Sequence, residues 1–253
     1  MSMIPPVGAG GMADPDEPSR LSYAGLYAAA DRERLLTTLG ELGFTGWVGP
    51  QEGRWVLAIA VNARGAVASR RRMIDMVARE CAEDLGVAVL AAEVAREERL
   101  QLVGFDGEGE QVRYDSNPPE EESHHAEMVL DEFGEPVMAE GAFDEPDGEE
   151  VARRLLALCG VQAQDSEADS LAELLEEELG ESTNESERIK AVARALHLPT
   201  WIVASSSLPR RVPGGPERHE VTYLGRGRQG ASGRFAAAWS NRVRKKAKDP
   251  ERR

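Results

Sequence analysis

Apolar residues recur every three or four positions in some stretches of the chain and form short apolar or alternating runs in others. The first pattern predicts amphipathic helices, and the second predicts strands. We therefore expect helices over residues 31–42, 67–85, 151–159, 170–179 and 186–197. We expect strands over residues 45–49, 54–62, 87–94, 99–105, 110–114, 201–204 and 221–224.

The order of these elements indicates the fold class. The first half runs helix, strand, strand, helix, strand, strand, strand, and strands joined directly by short turns pair as antiparallel neighbours. We predict an α+β fold with a mixed, mostly antiparallel sheet flanked by helices. A smaller helical C-terminal part and disordered ends complete the expected architecture.

Composition divides the chain into five parts. Residues 1–20 are rich in Pro, Gly and Asp and predict a disordered N-terminus, and residues 21–115 hold the α+β sheet domain. Residues 116–148 contain no Lys or Arg and predict an acidic linker. Residues 149–209 predict a helical part with a returning strand at 201–204. Residues 210–253 predict a basic Gly/Arg-rich tail with a short amphipathic helix.

Charge is distributed unevenly along the chain. Residues 210–253 contain 13 Lys or Arg and four Asp or Glu, a net charge of +9. Because the whole chain carries -15, residues 1–209 carry -24. An acidic body with a basic end favours a binding role for the C-terminal segment.

Three interpretations of the basic segment stay open. The first is docking, either back on the chain's own acidic segment or on another protein, through an apolar stripe spaced by four residues, Phe235, Trp239 and Val243. The second is binding of nucleic acid or a phosphate ligand by the side chains of Arg226, Arg228, Arg234, Arg242, Arg244 and Lys245. The third is a solvated end that only aids solubility. We rank protein docking first because the acidic body repels a polyanion.

Gly225, Gly227 and Gly230 spell the glycine pattern of a dinucleotide-binding loop. That loop needs a second parallel strand after its helix and an acidic residue about 20 positions further on. Only 23 residues follow Gly230, and they contain no apolar strand. We therefore predict no nicotinamide or flavin cofactor.

Other catalytic and metal-binding patterns are weak. Ser205–Ser207 follow an expected strand and lie near His197 and His219 in sequence, but no Asp is identified that would orient a histidine. His124 and His125 lie in an acidic stretch without the spacing of a zinc motif. We expect a protein that binds a partner without catalysis, metal or cofactor. An enzyme without a local sequence signature is the second alternative.

The two cysteines bear on the compartment. Cys81 and Cys159 fall on the apolar faces of two expected helices, which predicts buried, reduced thiols. No apolar run reaches the ~18 residues that a membrane helix needs, and residues 1–20 lack the pattern of an export or organelle signal. We expect a cytoplasmic protein without a membrane partner, whose oligomeric state the sequence does not indicate.

Overall fold

The computed structural model describes residues 21–61, 66–118, 128–130, 136–138, 147–162, 165–177, 184–208 and 212–225. The described strands are β1 (Tyr23–Ala28), β2 (Gly46–Glu52), β3 (Trp55–Ala60), β4 (Val89–Ala95), β5 (Arg99–Asp106), β6 (Gly109–Asp115), β7 (Met128–Leu130), β8 (Pro136–Met138) and β9 (Thr222–Leu224). The described helices are α1 (Arg32–Glu41), α2 (Ile74–Leu85), α3 (Gly148–Leu158), α4 (Asp165–Glu176) and α5 (Glu185–Ala195).

Seven strands form one sheet in the order β6-β5-β4-β1-β3-β2-β9. The first six elements run β1, α1, β2, β3, α2, β4, and their strand order 4-1-3-2 is the split βαβ, ferredoxin-like arrangement. The predicted α+β fold is confirmed. Pairing is antiparallel throughout the described sheet rather than mixed, because α1 and α2 each connect strands separated by a third that runs the other way.

Helices cover both faces of this sheet, and each face has its own hydrophobic core. Helices α1 and α2 pack on one face, where the largest buried side chains include Leu26, Leu35, Leu39 and Phe44. Helices α3, α4 and α5 pack on the other face, where the core includes Tyr27, Leu57, Leu90, Leu102, Leu155 and Leu171. The C-terminal helices therefore share a core with the sheet.

The central strand β1 is absent from the predicted elements. Its sequence, YAGLYA, is buried at all six positions because α1 and α2 cover one face and the C-terminal helices cover the other. A strand buried on both faces loses the polar and apolar alternation that marks a half-exposed strand. Only the tertiary structure identifies β1 as the strand between β4 and β3.

The strand predicted at residues 201–204 is wrong. The segment is buried, but it forms no strand and leads into a 3₁₀ turn at Ser205–Ser207. Trp201 packs on Gly49 of β2, and Ile202 approaches Gly25 of β1. The segment thus lies on the face of the sheet, where its backbone is not placed to pair with an edge strand. The returning strand is instead β9, as the strand pattern at 221–224 predicts.

The helix predicted to begin at residue 67 begins at Ile74. Residues 67–72 form a loop in which the Val67 N–H donates to the Arg72 carbonyl oxygen at 2.9 Å. The Arg72 guanidinium bonds the carbonyl oxygen of Leu42, at the end of α1, and the carboxylate of Glu80 in α2. The loop contains a 3₁₀ turn at Ser69–Arg71, and these contacts hold it in a path that is not α-helical.

The acidic segment contains a short hairpin that the sequence analysis did not predict. β7 and β8 pair antiparallel, with Met128 opposite Met138. The N-terminal residues 1–20 and most of residues 116–148 lie outside the described residues, so the predictions for them stay predictions.

Candidate functional site

A cleft opens between the first turn of α2 and strands β4, β5 and β6. Its volume is about 150 Å³. The lining residues come from four elements and the residue before α2: Met73, Ile74, Asp75, Ala91, Glu93, Gln101, Val103 and Arg113. The cleft mixes an apolar floor with two carboxylates, one amide and one guanidinium.

Strand register places the sheet residues of the cleft side by side. Ala91 pairs with Val103, and Val103 pairs with Arg113 across β4, β5 and β6. Glu93 pairs with Gln101 in the neighbouring row. Directly paired side chains project from the same face of an antiparallel sheet. Because α2 leads back to the start of β4, its own first turn lies over the far end of that strand, beside Glu93.

Glu93 is the central polar group of the cleft. Burial raises the pKa of its carboxyl, and the nearby carboxylate of Asp75 raises that pKa further, while Arg99 lowers it. Glu93 forms no hydrogen bond or ion pair with the described residues. A half-buried carboxylate without a hydrogen-bond donor carries an uncompensated desolvation cost, which a positively charged ligand would relieve.

The two guanidinium groups near Glu93 are already engaged. Arg99 Nε lies 2.8 Å from Oδ1 and 3.0 Å from Oδ2 of Asp115. Arg113 contacts Glu110 twice, with Nε 2.9 Å from Oε1 and Nη2 2.7 Å from Oε2. Bidentate pairs of this kind satisfy both partners. Asp75, Glu93, Glu110 and Asp115 carry four negative charges against the two positive charges of Arg99 and Arg113, so these six described groups have a net charge of -2.

Two exposed methionines, together called the methionine rim, lie at the start of α2: Met73 lines the cleft, and Met76 lies three residues further along the helix. Met73 and Met76 are each 38% exposed, and together with Leu21 they are the large apolar residues that the described structure leaves exposed. Met73 immediately precedes α2 and caps it without a side-chain hydrogen bond. Exposed methionines form adaptable apolar surfaces that suit protein contacts.

A second polar cluster is enclosed on the opposite face of the sheet. Arg188 Nη1 lies 3.2 Å from Oε1 of Glu185 and 3.1 Å from the hydroxyl of Tyr114, and Ser116 also donates to Glu185. The Tyr114 hydroxyl donates to the carbonyl oxygen of Leu175 at 2.6 Å. The side chains of Glu185 and Arg188 are 0% and 4% exposed. The cluster joins α4 and α5 to β6, and its burial makes it structural rather than a site for ligands.

The other groups weighed from sequence do not assemble into a catalytic site among the described residues. The structure gives no hydrogen bond to the side chain of His197 or His219, and Ser205–Ser207 form a 3₁₀ turn. Both thiols are buried as expected, and burial raises the pKa of Cys81 and of Cys159 to about 12. Residues 21–225, as far as they are described, contain no cluster of three metal-ligating side chains.

The residues predicted to bind a partner or an anion lie outside the described residues: Phe235, Trp239, Val243, Arg226, Arg228, Arg234, Arg242, Arg244 and Lys245. His124 and His125 lie outside them too. Gly225, the first glycine of the dinucleotide-like pattern, follows β9, and β9 pairs antiparallel with β2 at the sheet edge. A dinucleotide loop follows a strand of a parallel sheet.

None of the cleft residues is among the sites predicted from the sequence. One signal was present: Glu93 is the single charged residue in the otherwise apolar run VAVLAAEV. A charge in a buried strand points to a partner or a site. The proximity of Asp75 and Arg113 follows only from the packing of α2 and from the register of β5 and β6.

In the described part of the chain, each helix is too short or too polar to cross a bilayer. Comparison with protein-family models, with curated proteins and with solved structures found no match to this chain.

Proposed function

We propose that this protein acts in the cytoplasm by binding another protein and catalyses no reaction itself. The observation that carries the proposal is the cleft beside α2, whose lining includes the exposed Met73 and the unpaired carboxylate of Glu93. Met76, three residues further along, adds a second exposed apolar residue on α2. The basic C-terminal segment with Phe235, Trp239 and Val243 stays a predicted second contact with the partner.

The size of the cleft favours a protein over a free small molecule. Pockets for drug-sized ligands span about 300–1,000 Å³, whereas this cleft measures about 150 Å³. It accommodates one inserted side chain, and the apolar rim beside it adds contact area for the partner's surface. Interfaces commonly concentrate their binding energy in a few such inserted anchors.

The chemistry of the lining also favours binding over catalysis. Glu93 has a raised pKa, which is frequent at catalytic sites. General acid or base catalysis, however, usually acts together with a nucleophile or a second proton-transfer group in hydrogen-bond reach. The lining contains no Ser, Cys, His or Lys, and its second carboxylate, Asp75, accepts a hydrogen bond from the Met76 N–H and forms none with Glu93. Its charged groups are therefore better suited to recognition.

The cytoplasmic location rests on the two cysteines. Cys81 and Cys159 are both free and buried in the structure. Extracellular proteins of this size usually oxidise their cysteines to disulfides, whereas reducing compartments keep buried thiols free.

Site-specific photocrosslinking tests the proposal. A benzophenone amino acid replaces Met76 in the full-length chain, and the matched control replaces Thr37, an exposed residue of α1 on the same side of the sheet. We expect a discrete protein adduct from position 76 and none from position 37. The adducted protein is then purified, and its affinity is measured against the wild-type chain and a Met73→Ser/Met76→Ser variant. We expect about tenfold weaker binding by the variant, a change of 1.4 kcal/mol.

Two results would contradict this function. Equal crosslinking from positions 76 and 37 would show that contacts near the cleft are non-specific. Equal affinity of the wild-type and double-serine proteins for the purified partner would show that the methionine rim contributes nothing to binding.

A further inference from the structure

We infer that the cleft receives an arginine side chain from the partner protein, with the guanidinium group against Glu93 and Asp75. This inference rests on the proposed function and names the chemistry of the occupant. Charge, size and lining each point to it separately.

Charge complementarity is the first argument. Arg99 is bound to Asp115, and Arg113 is bound to Glu110, so both cations near the cleft are neutralised locally. Asp75 and Glu93 form no direct ion pair among the described residues, although Arg99 attracts Glu93 and Arg113 attracts Asp75 at longer range. Four carboxylates, counting Glu110 and Asp115, thus face two guanidinium groups. An incoming cation supplies the missing counter-charge.

The size and lining of the cleft are the second argument. A cavity of about 150 Å³ holds a molecule as large as benzene in an engineered protein core. A guanidinium group with the end of its methylene stem has a similar number of heavy atoms. Ile74, Ala91 and Val103 form the buried apolar floor of the cleft, and the exposed Met73 provides apolar surface that the stem of a long basic side chain covers.

The donor set distinguishes arginine from a metal ion. Calcium and magnesium take six or more oxygen ligands, and the cleft offers two carboxylates and the amide of Gln101. Guanidinium is more weakly hydrated than ammonium, and its planar N–H groups bind a carboxylate in pairs. The half-buried carboxylate of Glu93 therefore suits arginine better than lysine or a metal ion.

NMR of the methionine methyl groups tests the occupant directly. The full-length chain has seven methionines, so ¹³C-methyl labelling gives few signals. Met73 lines the cleft and Met76 lies three residues further along α2, so both methyl groups report on this region. The probe is N-acetyl-arginine amide. Its matched control is N-acetyl-citrulline amide, which has nearly the same shape without the charge. We expect saturable shifts of both rim methyl signals with the arginine probe and none with citrulline.

The Glu93→Gln variant is the second arm of the test. It keeps the shape of residue 93 and removes the charge, so we expect about tenfold weaker arginine binding, with the signals of the other methionines unchanged. Equal shifts from citrulline, unchanged affinity in Glu93→Gln, or no saturable shift of Met73 and Met76 would each overturn the inference.

A full-length variant identifies the source of the arginine. In it, the ten Lys and Arg residues within 226–253 are replaced by Gln. Unchanged rim signals before titration support a partner protein as the source. Rim signals that already differ from those of the wild-type protein would show that the chain's own basic segment occupies the cleft, and would overturn the partner assignment.

The two proposals fail separately. Crosslinking at position 76 without arginine binding would leave protein binding in place and reject the occupant. Arginine binding without a specific adduct at position 76 would leave the chemistry of the cleft in place and reject the proposed function.

Discussion

Trp201 packs against Gly49 so closely that a Cβ atom at position 49 would overlap the indole ring. The indole Nε1 also donates a hydrogen bond to Oε1 of Glu52 at 2.6 Å. This contact anchors the segment after α5 onto β2, and it explains why a residue without a side chain lies in the middle of a buried strand. It therefore helps to hold the layer formed by α3, α4 and α5 against the sheet. The other face of the same sheet forms the cleft.

Gly49→Ala should destabilise the protein by roughly 1–3 kcal/mol, because the added methyl group overpacks a filled core. Gly40→Ala is the matched control. A Cβ at Gly40 meets no atom within 4 Å, and alanine favours the helix, so this change should stabilise α1 by up to about 1 kcal/mol. Urea unfolding measures the free energy of unfolding of both variants, which we expect to fall for Gly49→Ala and to rise for Gly40→Ala. Equal effects would show that the Trp201 contact imposes no packing restraint.

Arg188→Met should destabilise the protein by about 3–5 kcal/mol, because it leaves the carboxylate of Glu185 buried without its ion-pair partner. The side chains of this pair are 4% and 0% exposed. In the surface pair Arg153–Glu149 the corresponding values are 58% and 50%, so Arg153→Met should change stability by less than about 0.5 kcal/mol. A double variant, Glu185→Gln/Arg188→Met, should recover part of the loss. Thermal and urea unfolding test all three, and similar losses at both sites would contradict the expectation.

Tyr27→Phe should raise the free energy of unfolding by about 1 kcal/mol. The hydroxyl of Tyr27 is fully buried and forms no hydrogen bond within the described structure. Tyr114→Phe is the contrasting variant: its hydroxyl bonds Leu175 and Arg188, so its removal should destabilise the protein. Urea unfolding compares them. A destabilised Tyr27→Phe protein would indicate that the hydroxyl has a partner after all.

Asp115→Asn should lower stability at neutral pH and have less effect in acid. Burial alone would raise the pKa of Asp115, but hydrogen bonds from Arg99, Gln101 and the Asn117 N–H outweigh it and lower that pKa. A carboxyl with a lowered pKa stabilises the fold above its unfolded pKa of about 3.9 and loses that contribution as pH falls below it. Melting temperatures from pH 7 downwards should converge for the two proteins. A difference in melting temperature that does not change with pH would mean that the negative charge of Asp115 does not contribute to stability.

Glu93→Gln should raise stability at neutral pH, the opposite sign to Asp115→Asn. Burial and Asp75 raise the pKa of Glu93, and the facing cations Arg99 and Arg113 are paired elsewhere. A carboxyl with a raised pKa costs stability as pH rises above its unfolded pKa of about 4.3, so the advantage of Gln should vanish in acid. Thermal unfolding at several pH values measures this difference in stability between the Glu93→Gln variant and the wild-type protein. A less stable Gln variant at pH 7 would show that the Glu93 carboxylate has a stabilising partner.

Much of the fold could be predicted from local signals. The period of Leu35 and Leu39 predicts α1, and Asp31 supplies its cap by accepting hydrogen bonds from the N–H groups of Glu33 and Arg34 at 3.0 and 3.3 Å. Gly86 ends α2 in the left-handed conformation that glycine favours. The hairpins β2–β3, β4–β5 and β5–β6 follow from apolar runs separated by short turns.

The candidate site could not be predicted in the same way. Met73, Glu93 and Arg113 are far apart in sequence and meet only because α2 crosses β4 and because β5 and β6 extend the sheet in register. Asp115 and Glu110 form the ion pairs with Arg99 and Arg113. Their positions beside these arginines also depend on the pairing and irregular register of β5 and β6.

The sequence by itself determined the α+β class, most helices and strands, the burial of both cysteines and the separation of an acidic body from a basic C-terminal segment. Each of these features depends on local periodicity, capping or composition. The tertiary structure alone decided the central position of β1, the helices on both faces of the sheet, the path of residues 201–204 and the cleft. Those features depend on contacts between segments distant in sequence, which hydrophobic periodicity does not encode.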